Sequence, residues 1–225
     1  MADDVNLLTL MHISDLHFSD RAPGAGTDPG VPALLAKLPF LDGLLGHHGA
    51  AVSALDSFYH GLGQGVLVLV TGDITANGAP AQRSLADHFI RGPRGINNPA
   101  LNSPGWRDFA IPGNHDQWPG TGQIIGGPSA GFSGFFPNPF PAICNPISLA
   151  KGVSLRFILV DTDADVNRWL RNRVFARGDF VTQLARLQTL LNPPADSEIR
   201  VLLSFPKTRR PLAATLDGSA NSKSN

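Results

Sequence analysis

An α/β fold is the class this sequence predicts, and three observations carry the prediction. Short β-branched apolar runs, of which Gly65–Thr71 (GVLVLVT) is the clearest, alternate with segments whose Leu and Ala recur at helical spacing. Polar residues of one chemical type, Asp, His and Asn, stand directly after three of those runs. At 225 residues and 42% hydrophobic, the chain can bury one sizeable core and is too apolar to be disordered as a whole.

Taken in order, Leu7–Ile13 is an apolar run closed by Ser14-Asp15 and predicts a first buried strand. Ser19–Gly30, with its Pro and Gly, predicts a loop. Val31–His60 carries leucines at 34, 35, 38, 41, 44 and 45, interrupted by Pro39 and the Gly46–Gly49 patch, which predicts two helices rather than one. Gly65–Thr71 is apolar on both faces, as central parallel strands are. Ala81–Ile90 suits a helix after Pro80, because proline's preset φ and missing N–H cost nothing in a first turn.

Trp106–Ile111 predicts a third strand, ended by Pro112-Gly113. Gly120–Pro146, rich in Gly, Pro and Phe, predicts an irregular lid or insertion. Val153–Val160 is a further strand, ending in Asp161-Thr162-Asp163. Asp179–Leu191 predicts a capped helix with Leu184, Leu187 and Leu191 on one face, and Ile199–Ser204 a last strand. From Phe205 the apolar periodicity is lost and Ser, Asn and Lys accumulate, so the domain is expected to span 1–204 and a disordered tail 205–225.

The charge balance is even, with 18 Lys plus Arg against 18 Asp plus Glu. A basic excess of the kind that marks a sequence-independent nucleic-acid binder is missing, which disfavours nucleic acid as a partner. Cys144, the single cysteine, forms no internal disulfide and has no base beside it in its Pro-rich stretch, which predicts a buried thiol rather than a nucleophile. The start, MADDVNLL, is acidic where a signal peptide is basic, and no apolar run approaches the roughly 18 residues that span a bilayer. A cytoplasmic protein is expected.

The chemistry concentrates at strand ends, where open α/β sheets build their sites. Asp15 and His17 follow the first strand in SDLHF and, two apart in extended chain, would point to the same side. Asp73 follows Gly72 in VTGDIT, and Asn114 and His115 follow the third run in IPGNHD. Oxygen and imidazole donors without thiolate suit Mn, Fe or Zn. A carboxylate able to bridge suits a pair of ions about 3.5–4 Å apart, an arrangement that hydrolyses phosphate esters.

HISDLHF, LVLVTGDIT and IPGNHD, each after an apolar strand, together resemble the calcineurin-like metallophosphoesterases, above all the branch that includes cyclic-nucleotide phosphodiesterases. The resemblance extends over residues 7–204. It implies a four-layer sandwich of two mixed β-sheets flanked by α-helices, and metal-dependent hydrolysis of phosphoesters, phosphodiesters first among them. Two divalent metal ions are implied: Asp15 and His17 would bind the first, Asp73 would bridge, and Asn114 would bind the second through its side-chain oxygen. His115 would not be a ligand but would face the scissile phosphate, to stabilise charge or protonate the leaving oxygen, with Asp116 orienting it. A metal-bound hydroxide would attack phosphorus in line. The implied substrate is a small phosphoester such as a cyclic nucleotide.

The same family carries a later histidine after a strand and then a Gly-His-x-His segment. The seven histidines here stand at 12, 17, 47, 48, 60, 88 and 115, and none follows His115. On that pattern the domain would be C-terminally incomplete, Asp73 and Asn114 alone would serve a weak second metal, and hydrolysis would be impaired. Truncation, a reading-frame change near residue 204, or a catalytically silent protein that keeps the fold for binding are the alternatives. The strand at Ile199–Leu203 would offer an exposed edge for association.

The remaining polar residues have simpler expected roles. His12 is expected to be hydrogen-bonded in the core, His47-His48 a solvated turn, and His60 and His88 helix-surface residues. Asp161 and Asp163 are expected to cap a strand end, and Arg168, Arg171, Arg173 and Arg177 to form a solvated helix face. Phe132, Phe135, Phe136 and Phe140 either pack the insertion or line a cleft.

Overall fold

Alternation of apolar residues along two central strands sets the layering of the protein. The structure, a computed structural model, describes residues 8–19, 49–96, 98–103, 105–120, 127–137, 139–149, 152–163, 180–192 and 197–204. Strand β1 (Thr9–Ser14) pairs in parallel with β2 (Val66–Thr71), from Thr9 opposite Val66 to Ser14 opposite Thr71, and β2 pairs in parallel with β3 (Ala110–Ile111). On one face, Val66, Val68 and Val70 of β2 join Met11 and Ile13 of β1. They pack against Val52 of helix α1 (Gly49–Gly61) and Ala86, Phe89 and Ile90 of α2 (Pro80–Arg91).

The other face of β2 turns Leu69 towards a second sheet, where it meets Leu155, Phe157 and Leu159 of β6 (Ser154–Val160) together with Ile111 of β3. Along one edge of β6 run β4 (Ala142–Ile143) and β5 (Ile147–Ser148), both antiparallel; along the other runs β7 (Glu198–Ser204), parallel and in register over its whole length. The far face of β6 buries Ile158 and Val160 under Leu187 of the last described helix. Four layers result: helices, sheet, sheet, helix. The second sheet is mixed as expected, whereas the first is parallel throughout its described strands, because its connections carry α1 and α2 instead of tight hairpins. No helix among the described residues is long and apolar enough to cross a membrane.

Three expected elements are corrected. The strand expected at Trp106–Ile111 is a 3₁₀ turn over Trp106–Phe109 that yields only the two residues of β3. Gly105, left-handed at φ 77°, bends the chain, and its carbonyl accepts the Asp108 N–H at 3.0 Å. The turn drives Trp106 edge-on against Phe135 and Phe109 edge-on against Phe157, so the aromatic run packs rather than pairs.

The helix expected at Asp179–Leu191 is a 3₁₀ turn over Val181–Gln183 followed by α4 (Leu184–Leu190), with Asp179 outside the described residues. Seven helical residues make about two turns. Leu187 is therefore the buried leucine, and Leu184 and Leu191 are exposed. In the Gly120–Pro146 stretch, Phe132–Phe135 forms a one-turn helix, α3; Phe135 and Phe136 are buried, Phe132 and Phe140 pack against the core, and Phe135 also borders a cavity that it shares with Arg83 and Arg107. The Cys144 thiol is buried and donates to the Asp108 carbonyl at 2.6 Å, and burial pushes it up to about 12, an inert thiol as expected.

The loop beyond Ser19, the first of the two expected helices, His47-His48, the arginines at 168–177 and the segment 205–225 lie outside the described residues. Strand β7 pairs only with β6 among the described residues and exposes Ile199, Val201 and Leu202.

The sheet-to-sheet contact is expected to dominate stability. Phe157→Ala should cost about 3–5 kcal/mol in urea unfolding, while Leu191→Ala at the exposed position just after α4 should change it by under about 0.5 kcal/mol. Equal costs would contradict this layering.

Candidate metal centre

Three parallel strands deliver three loops to one edge of the first sheet, and backbone bonds extend the ladder past the strand ends. Gly72 N donates to Ile111 O at 2.9 Å, His17 N to Asp73 O at 2.9 Å, Phe18 N to Ile74 O at 2.9 Å, and Ala76 N back to Phe18 O at 2.9 Å. Phe18 and Ile74, both buried, anchor the two loops in the core. The loop after β1 is thereby folded down over the loop after β2.

That folding overturns the extended geometry expected for Asp15 and His17. Asp15 (φ 54°), His17 (φ 46°) and Asp73 (φ 27°) all lie in the left-handed region, where a side chain crowds the backbone. Each such residue costs on the order of 1–3 kcal/mol and persists only where the surroundings hold it. Three of the five residues singled out by sequence are thus the strained ones.

The side chains of His17, Asp73 and His115 converge. Asp73 Oδ2 lies 4.0 Å from His17 Nε2 and 4.0 Å from His115 Nε2, and the ligating atoms of the three residues all lie within 4.8 Å of one another. The imidazoles meet edge to face, centroids 4.9 Å apart. Asp73 Oδ1 is committed to the His115 backbone N–H at 2.9 Å, which leaves Oδ2 towards the two rings. Gly113 makes this approach possible: a Cβ there would stand 2.2 Å from both the backbone N and Oδ1 of Asp73.

The two imidazoles differ. His115 Nδ1 lies 2.8 Å from the Ala76 carbonyl, which only accepts, so Nδ1 carries a proton and Nε2 faces the cluster. Burial chiefly, and then the neighbouring His115, push His17 down to about 4, against the opposing pull of Asp73 and Asp15. His17 is therefore neutral at ordinary pH, and its buried Nδ1 has no hydrogen-bond partner among the described residues. The Asp73 carboxylate oxygen and the His17 imidazole are donors that suit a divalent metal ion of the Mn, Fe or Zn kind, and His115 Nε2, 4.0 Å from the same oxygen, lies within reach of that ion or of a group bound to it.

The Asp15 carboxylate does not enter that trio. Asp15 is exposed beside it, its charge reaching His17 but its carboxylate outside the converging atoms. Asn114 is buried on the loop between Gly113 and His115, and its carbonyl accepts the Gln117 N–H at 3.2 Å.

Asp116 does not orient His115; the Ala76 carbonyl does. Instead, Asp116 is fully buried and accepts from Ile74 N (3.1 Å), Thr75 N (2.8 Å), Thr75 Oγ1 (2.7 Å) and Gly113 N (2.9 Å), binding the loop after β2 to the loop after β3. A main-chain carbonyl leaves no residue-type signature, so sequence alone offered no sign of Ala76. Trp118, stacked on His115, was legible only as an aromatic four residues after Asn114.

The other polar residues have structural partners. Asp161 caps its strand end as expected, accepting from Asp163 N at 2.8 Å, and also holds Gln117 Nε2 at 3.1 and 3.2 Å. His12 is exposed rather than buried, since alternation sets it opposite Met11 and Ile13; it bonds Thr71 Oγ1 at 2.6 Å. His60 pairs with Asp56 at 3.4 Å and with the Ala100 carbonyl, and His88 with Asn98.

Burial chiefly, and then Asp73, push Asp116 up to about 6, although its hydrogen bonds pull the other way. The stability that His17 contributes by staying neutral is present above its ordinary 6.5 and is lost as pH falls towards 4. That of Asp116 is present below its ordinary 3.8 and is lost as pH rises through 6, so the two oppose each other across one window. NMR titration of cation-free protein should find His17 titrating near 4; a midpoint near 6.5 would contradict its burial. Asp116→Asn replaces an acceptor by a donor facing buried N–H groups and should cost at least about 2 kcal/mol in urea unfolding.

The model of the calcineurin-like phosphoesterase family matches residues 8–201. No curated protein and no solved structure matches the chain. The matched span takes in all three strand-end loops and most of both sheets, and the chain belongs to the calcineurin-like phosphoesterase family.

Proposed function

We propose that this chain hydrolyses phosphodiesters of small molecules, cyclic nucleotides among them, with two divalent metal ions. Family membership implies metal-dependent phosphoester hydrolysis in general. The observation that carries the reading is the convergence of Asp73 Oδ2 with Nε2 of His17 and His115 at the C-terminal edge of a parallel sheet. Asp15 and His17 would hold a first ion, Asp73 would bridge, and Asn114 would serve a second, weaker one. Such ions supply positive charge to phosphoryl oxygens and a nucleophile from water at neutral pH.

The chain's own residues supply orientation and a proton. His115, its Nδ1 proton held on the Ala76 carbonyl, turns Nε2 into the pocket. In the protonated form that nitrogen donates to a phosphoryl oxygen or to the leaving oxygen. Asp73 ties its Oδ1 to the His115 N–H, so the catalytic loop and the bridging carboxylate keep a fixed spacing. A weakly held second ion, served by Asp73 and Asn114, and slow turnover with it are part of the proposal.

The Asp15 carboxylate, outside the converging atoms, favours a second reading: a protein that keeps the fold and binds a cation without hydrolysis.

Elemental analysis and hydrolysis of bis(p-nitrophenyl) phosphate in manganese buffer test both. Expected are one cation per chain that survives dialysis, a second that does not, and slow hydrolysis. Asp73→Asn should lose cation and activity together. His115→Ala should keep the tight cation and lower kcat by about 10²-fold or more. Cation retained without any hydrolysis supports the second reading. A chain that takes up no cation, or an Asp73→Asn variant of full activity, defeats both.

A further inference from the structure

The imidazole of His115 lies nearly flat on the indole of Trp118, with centroids 4.0 Å apart and planes inclined by 22°. Trp118 follows His115 by three residues, and its backbone N–H closes the turn on the His115 carbonyl at 3.1 Å. Its side chain is 3% exposed, and its indole N–H is buried without a hydrogen-bond partner among the described residues. A buried donor left unsatisfied is a cost that a phenyl ring would avoid, so polar bonding does not account for the indole. What the indole offers is a broad flat face against the imidazole.

Trp118 is itself fixed from the side. The loop after β2 sits against its backbone so closely that a Cβ on Gly78 would stand 2.3 Å from the Trp118 carbonyl and 3.1 Å from that of His115. Gly78 is left-handed at φ 76°, a conformation glycine adopts without strain. The same loop carries the Ala76 carbonyl on His115 Nδ1. One ring face, the Nδ1 proton and the contact with the His17 ring are thus all held, leaving Nε2 directed at Asp73 Oδ2.

We propose that Trp118 is the positioning residue for His115: its indole fixes the plane of the imidazole so that Nε2 addresses the reacting phosphate. The Ala76 bond alone leaves the ring free to swing about the Nδ1–carbonyl direction, and the flat stack removes that freedom before substrate arrives. The inference rests on His115 meeting the substrate, as set out above. It extends to Trp118 no contact with substrate or cation.

The test compares wild-type protein with Trp118→Phe and Trp118→Leu, with Trp118→Met in place of the leucine variant if that one does not fold. Hydrolysis of bis(p-nitrophenyl) phosphate, tight cation content and the His115 ring-proton NMR signals are measured on each. Trp118→Leu should lower kcat about tenfold or more with KM and cation content unchanged, and Trp118→Phe should restore most of the loss. In wild type the His115 ring protons should resonate upfield, in the shielding cone of the indole, and should move downfield in Trp118→Leu. An unchanged kcat in the leucine variant, or a loss that only tracks cation content, overturns the proposal. If wild-type protein hydrolyses nothing, the proposed function fails, and the NMR arm alone decides the positioning: ring signals identical in wild type and Trp118→Leu overturn it.

Discussion

The buried carboxylate of Asp116 is the contact on which the rest of the site depends. Its two oxygens receive three backbone N–H groups and one hydroxyl, from Ile74, Thr75 and Gly113, and so join two loops that leave different strands. Desolvating a carboxylate is costly, and four donors are what make the charged form tolerable there. The main chain of the same residue is held as well, since Arg83 Nη2 donates to the Asp116 carbonyl at 3.1 Å. Helix α2, which carries Arg83, is thereby bonded to the loop that presents Asn114 and His115.

With those loops joined, the strain at the pocket can be carried. Asp15, His17 and Asp73 adopt left-handed backbone angles that no isolated loop of this composition would keep. They are held by the continued ladder of His17 and Phe18 onto Asp73 and Ile74, and by the burial of Phe18 and Ile74 in the core between the first sheet and α2. The geometry of the donors is thus supported by apolar packing and backbone hydrogen bonds together. A rigid scaffold of this kind is what binding a small, strongly charged ligand demands, because donors that must first rearrange lose affinity to the ordering they undergo.

Much of this was legible before any coordinates. The β-branched run at Val66–Thr71 is buried on both faces and lies at the centre of its sheet, and the run at Ser154–Val160 is the centre of the other. What misled was composition without direction. Trp106–Ile111 has the residues of a strand, but a left-handed Gly105 turns it into a 3₁₀ segment. Asp15 and His17 have the spacing of a strand pair, but the chain leaves β-geometry at Asp15. Asp116, adjacent to His115 in sequence, points into the gap between loops, and a backbone carbonyl from a different loop takes the role expected of it.

By itself, the sequence determined which residue types stand at the strand ends, the α/β alternation, the family and the choice of Asp15, His17, Asp73, Asn114 and His115 as candidate site residues, because apolar periodicity and residue chemistry are local properties. Only the tertiary structure decided that His17, Asp73 and His115 converge while the Asp15 carboxylate stands apart, that the Ala76 carbonyl holds the His115 Nδ1 proton, and that Trp118 lies against its ring. Those outcomes depend on backbone direction and on contacts between loops distant in the chain, such as His115 with Ala76, 39 residues apart, and with Asp73, 42 residues apart. No local pattern encodes the Asp73 and Ala76 contacts, since those partners are chosen by where packed strands set their ends down, and the Trp118 stack, though local in sequence, depends on the turn that the loop after β2 holds in place.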